Sequence, residues 1–140
     1  KRYGYDVLGD SVSTAARLEG QTKPYGVLLI LGPETANAAK HFYNVVELDW
    51  LAVKGKTQAL TIYTVIWKET PRTDFWVTHQ QFLEDYRSSN WIQSMVKANW
   101  LIDNGPATLV KYYQMMKERI DELAESDIQN FDGVYRATSK

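Results

Sequence analysis

The spacing of apolar residues changes once along the chain, near residue 70. Before that point, Tyr3 to Leu8 is rich in aromatic and branched residues and runs into Gly9-Asp10, which predicts a strand meeting a turn. Val12, Ala15, Ala16 and Glu19 then fall at i, i+3, i+4 and i+7, so a helix is expected, capped by Asp10 or Ser11 and ending near Gly20. Val27 to Leu31 reads as a buried strand. Pro33 suits a first helical position with Glu34 in the first turn, and Thr35 to His41 continues as a short Ala-rich helix. Phe42 to Val53 and Ala59 to Trp67 read as extended segments separated at Gly55. The expected order is strand, helix, strand, helix, strand, strand.

Glu69-Thr70-Pro71-Arg72-Thr73 marks the change of period. Beyond it, Phe75, Phe82, Tyr86, Trp91, Met95, Trp100, Leu101, Leu109, Tyr112, Tyr113, Met116, Ile120 and Leu123 recur at helical intervals, interrupted at Asn104-Gly105-Pro106. Two or three packed helices are predicted, with the aromatic stripe as core. The chain therefore divides into a sheet-bearing part at 1–68, a linker at 69–74, a helical extension at 75–126 and an extended tail at 127–140. An α+β class follows.

Composition adds limits rather than identity. The chain has 140 residues, 44% hydrophobic and 13% aromatic, which is globular and sufficient for one core. A net charge of -1 supplies no general field for nucleic acid or an anionic membrane surface. Residues 1–68 hold 8 basic and 6 acidic side chains, against 8 and 11 in 69–140, so the two parts differ in sign. The absence of cysteine excludes disulfides, thiolate metal sites and Cys nucleophiles, and is compatible with a reducing, cytoplasmic setting. No apolar run approaches the roughly 20 residues of a membrane span. A first segment that reads as a strand already under way suggests an internal fragment.

Two stretches could carry chemistry. With a helix opening at Asp10 or Ser11, Ser13 and Arg17 are i, i+4 neighbours, placing a hydroxyl and a guanidinium on one edge near a helix N-terminus, where phosphate or sugar oxygens could be held. A surface ion pair for Arg17 and a capping role for Ser13 are the plainer readings. Lys54-Gly55-Lys56-Thr57 resembles the end of a phosphate-binding P-loop, but Trp50 stands where its first Gly is required and the segment leaves a strand without entering a helix. A hairpin with exposed lysines is the alternative, from which a Lys could still reach a phosphate. His41 and His79 lack metal-ligand spacing and read as structural; Asp49, Asp103 and Asp121 read as surface positions, and Asp10 as a cap.

Tyr5-Asp6-Val7-Leu8-Gly9-Asp10, Ala15-Ala16-Arg17, Lys23-Pro24-Tyr25-Gly26, Glu47-Leu48-Asp49, Val53-Lys54-Gly55-Lys56 and Ile62-Tyr63 occur in an order and spacing that resemble the end of the catalytic domain of class III adenylate and guanylate cyclases. The resemblance covers residues 1 to about 67. It implies a ferredoxin-like cyclase core, of which 1–68 is the C-terminal half, followed by the helical extension. It also implies roles for single residues. Asp6 matches the acceptor of the adenine amino group, which favours ATP over GTP. Arg17 matches the arginine that follows charge growing on the α-phosphate as the ribose 3′-hydroxyl attacks, and Lys54 matches the lysine holding the outer phosphates. Ser13 occupies a position where active members usually carry Asn to orient the ribose, so it is a departure.

The resemblance further implies two divalent metal ions, Mg²⁺ or Mn²⁺, liganded by aspartates upstream of this chain together with an adenine-reading lysine. A homodimer sharing its sites between protomers is expected, with ATP as substrate, no nucleic acid and no membrane contact by these residues. The closing segment Phe131 to Lys140 resembles the tail of bacterial membrane-tethered adenylate cyclases, so the parent is expected to be membrane-anchored with this part in the cytoplasm. Residues 1–140 alone are expected to be inactive. A guanylate cyclase, or a degenerate cyclase domain serving regulation or dimerisation, are the alternatives.

Overall fold

Two long strands, β1 (Asn44–Ala52) and β2 (Leu60–Ile66), form an antiparallel pair whose register runs from Asn44 opposite Ile66 to Leu51 opposite Leu60. The computed structural model describes residues 18–53, 58–126, 128 and 130–137. A short strand, β3 (Val134–Arg136), lies parallel to β1 on its other edge, giving the order β2-β1-β3. The sheet part is preceded by a single helical turn, α1 (Thr22–Tyr25), and by α2 (Pro33–Ala39), which has Pro at its start and Glu34 in its first turn as the sequence led one to expect.

The pairing of β1 with β2 is irregular at one place. The register shifts between Glu47 and Asp49, so Leu48 and Asp49 are both buried in succession. Such a bulge leaves a strand residue outside the ladder and bends the strand. It also leaves backbone carbonyls that need other donors. Tyr112 donates its hydroxyl to the Leu48 carbonyl at 2.5 Å, and His79 Nε2 lies 2.6 Å from the Glu47 carbonyl.

The helical extension consists of α3 (Thr73–Arg87), α4 (Trp91–Asn104) and, after a 3₁₀ turn at Ala107–Leu109, α5 (Val110–Glu125). The break falls at Gly105-Pro106, where the sequence pattern puts it, and α3 opens two residues before Phe75. Phe75, Phe82, Tyr86, Leu101, Leu109, Tyr112, Tyr113, Met116 and Ile120 are fully buried, while Trp91, Met95, Trp100 and Leu123 are partly buried against them. The stripe is core. These residues form one cluster with Leu18, Tyr25, Ile30, Val46, Leu48, Ile62 and Ile66 of the sheet part. A fully buried large side chain stabilises by about 1.5–3 kcal/mol, so removing any of these rings would be felt by both parts.

Two expectations are corrected. Val27 to Leu31 is not a buried strand: Leu31 alone bridges Tyr63, Leu28 is 83% exposed, and Thr64 reaches the Leu29 carbonyl with its hydroxyl. An apolar run of five residues carries no periodicity of its own, and here it follows a left-handed turn at Gly26, with Val27 and Ile30 packed on the core and Leu28 and Leu29 exposed. Asp49 is not a surface residue; it is wholly buried. The Lys23-Pro24-Tyr25 stretch was not assigned to an element, yet it forms α1 and buries Tyr25. The strand expected at Tyr3 to Leu8 lies outside the described residues, as does all but the end of the helix expected before Gly20, where Leu18 and Glu19 are helical.

Candidate functional site

Asp6, Ser13, Arg17 and Lys54, the residues singled out for chemistry, lie outside the described residues. What is described is the structure that adjoins them. Leu18, next after Arg17, is buried, and its carbonyl accepts the Gln21 amide at 2.9 Å; the Gln21 carbonyl in turn accepts the Tyr25 amide at 3.1 Å. On the other side, β1 ends at Ala52, two residues before Lys54, and the Ala52 carbonyl accepts the Ala137 amide of the tail at 3.0 Å.

These two segments meet at one buried group of polar side chains. Asp49 Oδ2 accepts from Arg119 Nη1 at 2.5 Å and from the Tyr25 hydroxyl at 2.6 Å, while Oδ1 accepts the Trp50 amide at 2.8 Å. Arg119 also points Nη1 at the Tyr86 hydroxyl and Nη2 at the Tyr25 hydroxyl, both at 3.3 Å. Its guanidinium lies over the Tyr135 ring at 3.6 Å and near the Tyr25 ring at 5.3 Å. Arg119 is only 8% exposed and Asp49 not at all. A buried ion pair of this kind persists only when its remaining donors and acceptors are satisfied, and here strand, turn, helices and tail all contribute.

The tyrosines respond to that setting. Burial, with the Asp49 charge beside it, pushes the Tyr25 hydroxyl far above its ordinary range, and the same causes raise Tyr86 to about 12. Both stay neutral, Tyr25 donating to Asp49 and Tyr86 accepting from Arg119. For Arg119, burial would lower the pKa, but the neighbouring Asp49 and tyrosines more than offset it and hold the guanidinium firmly charged. Gln21, Tyr25, Met115, Glu118, Arg119 and Tyr135 line a cavity of about 190 Å³ over this group.

His79 forms a second buried connection between helix and sheet. Because the Glu47 carbonyl can only accept, Nε2 carries the proton, and Nδ1 accepts from the Tyr113 hydroxyl at 2.7 Å. Burial pushes its pKa down to about 4, against the hydrogen bond to Glu47 and with help from the Arg87 charge. Its structural reading stands. Arg87 holds the Glu47 side chain at 2.7 Å and stacks over Trp50 at 3.9 Å. Asp103, Asp121 and His41 are exposed, in keeping with their plain sequence reading.

Among the described residues, no group of three or more His, Asp or Glu side chains could hold a metal ion. The donor set for two divalent ions is therefore not found in them. Nor is any helix among them long and apolar enough to cross a membrane.

Sequence reasoning missed the Asp49–Arg119 group because its members are 70 residues apart. One signal was available: an Asp inside an otherwise apolar strand requires a partner.

No family model matches the chain, and no solved structure matches it. Over 66 residues, 47% of its length, the chain is 33% identical to Adenylate cyclase 1 of Rhizobium meliloti (strain 1021). It spans about a tenth of that protein's length, the match covering 10% of it. Nearly half of this chain is thus related in sequence to part of an adenylate cyclase.

Proposed function

We propose that this chain is the C-terminal half of an adenylate cyclase catalytic domain with its helical extension, and that the complete protein converts ATP to cyclic AMP and pyrophosphate. The sequence match to an adenylate cyclase carries this reading, supported by the ordered motifs from Asp6 to Tyr63. Asp6 accepts a hydrogen bond from the adenine amino group. Arg17 offers a fixed fork of donors to the α-phosphate as the 3′-hydroxyl attacks, Lys54 holds the outer phosphates as a point charge, and Ser13 hydrogen-bonds the ribose. Two divalent ions and an adenine-reading lysine come from residues upstream, and two protomers share each site. The active assembly is then a homodimer, with this part in the cytoplasm beneath a membrane anchor.

The second reading is a catalytically degenerate cyclase domain acting in regulation or dimerisation. Ser13 favours it, since a hydroxyl offers less than the amide usual at that position. Assay of the full-length protein with ATP and GTP, in Mg²⁺ and in Mn²⁺, separates these. Cyclic AMP from ATP supports the first reading; no cyclic product from either nucleotide, with the protein folded, removes it in favour of the second.

A further inference from the structure

The Asp49 carboxylate joins the two described segments that adjoin the proposed chemistry. One is Leu18 to Tyr25, which follows Arg17 and ends on the Tyr25 hydroxyl at 2.6 Å from Asp49. The other is β1, which carries Asp49 itself and ends at Ala52, two residues before Lys54. Arg119 of the helical extension closes the group, and Tyr135 of β3 lies against the guanidinium. Through the β3 ladder, with Trp50 opposite Val134, Leu51 opposite Tyr135 and Ala52 opposite Arg136, the tail also holds the last three residues of β1.

Resting on the cyclase reading above, we propose that Asp49 and Arg119 are positioning residues: they hold Leu18 to Tyr25, which follow Arg17 in the chain, against β1, which precedes Lys54, making the helical extension part of the catalytic unit. Neither touches substrate. A misplacement of about 1 Å in such a scaffold costs on the order of 10²-fold in rate, so a buried pair far from the reacting atoms can still set turnover.

The two arms of the group give different kinetic consequences. Tyr25→Phe removes the hydroxyl that ties the Arg17 side to Asp49 while leaving the ion pair. Tyr135→Ala removes the ring under Arg119 on the tail side, also leaving the pair, and loosens the end of β1. A transition-state contact is read in kcat, whereas a contact to phosphates held throughout is read in KM and in product inhibition.

The experiment uses the full-length protein with ATP, and measures kcat, KM and the inhibition constant of pyrophosphate, with unfolding monitored alongside. Tyr25→Phe is expected to lower kcat about tenfold with little change in KM. Tyr135→Ala is expected to raise KM for ATP and the pyrophosphate constant together, about fivefold, with kcat nearly intact. Asp103→Asn, on an exposed surface, serves as the unaltered control. The proposal is overturned if both folded variants keep wild-type constants, or if both lower kcat and raise KM alike in proportion to lost stability. A wild-type protein with no cyclase activity removes the cyclase reading itself, and the positioning role with it.

Discussion

Asp49 and Arg119 meet at 2.5 Å inside the protein although 70 residues separate them, one on the central strand and the other on the last helix. Removing a single partner leaves a buried charge without compensation. Arg119→Met is therefore expected to destabilise by about 3–5 kcal/mol. The pair Asp49→Asn with Arg119→Met keeps an acceptor for the Trp50 amide, presents an NH2 that can donate to the Tyr25 hydroxyl oxygen, and removes the stranded charge, so it should regain more than half of that loss. Urea unfolding of the wild type and these variants reads both values; equal instability of the single and the double variant would show that the charge is not the cause.

The buried His79 makes stability depend on pH. Its folded pKa of about 4 lies below the ordinary 6.5, so between these values the unfolded chain binds more protons than the folded one. Stability then rises with pH across that window and is lost as pH falls from about 6.5 toward 4. The contribution is of the order of 3 kcal/mol at most. In His79→Gln, which can still donate to Glu47 and accept from Tyr113 without titrating, the midpoint of urea unfolding should change less between pH 7 and pH 5 than in the wild type.

Gly26 ends α1 with φ +69° and faces α5, where an added Cβ would stand 2.7 Å from the Lys111 Cβ. Both the left-handed backbone and the close approach exclude a side chain. Gly26→Ala should cost roughly 2 kcal/mol or more, and Gly26→Asn should not restore it, because Asn relieves the backbone strain but not the overlap. Thermal unfolding of the two variants provides the measurement.

Under the proposed function, Arg17→Ala and Lys54→Ala should fail in different ways. Loss of a transition-state donor lowers turnover by about 10² to 10³ with little effect on KM. Loss of Lys54 should instead raise KM for ATP. Steady-state kinetics of the full-length protein distinguish them, and an Arg17→Ala variant of undiminished kcat would remove that residue from the mechanism.

The elements easiest to read from sequence were those whose burial has one period. The ring positions from Phe75 to Ile120 declare two or three packed helices, of which the structure has three, because each helix buries a single face, and the Gly105-Pro106 break is a local backbone effect. β1 was legible as extended but not in its detail. The bulge after Glu47 reverses which face each later residue occupies, so Asp49 lands in the core where simple alternation puts a surface residue. Its partner could not be found locally, since nothing near Asp49 in sequence announces Arg119. The proposed site is legible in a different sense: Asp6, Ser13, Arg17 and Lys54 were named from the order of motifs, and they lie outside the described residues.

The parallel strand β3 bears on how the chain acquires its fold. During synthesis β1 and β2 can pair as soon as both exist, but the open edge of β1 receives its neighbour only when residues 134–136 have been made. Asp49 likewise waits for Arg119. Until then its carboxylate favours a loose, hydrated arrangement over a packed one. Among the described residues the sheet therefore gains its third strand only after the helices have been made, and a product cut short before Arg119 would have every residue of β1 and β2 yet be denied a settled core.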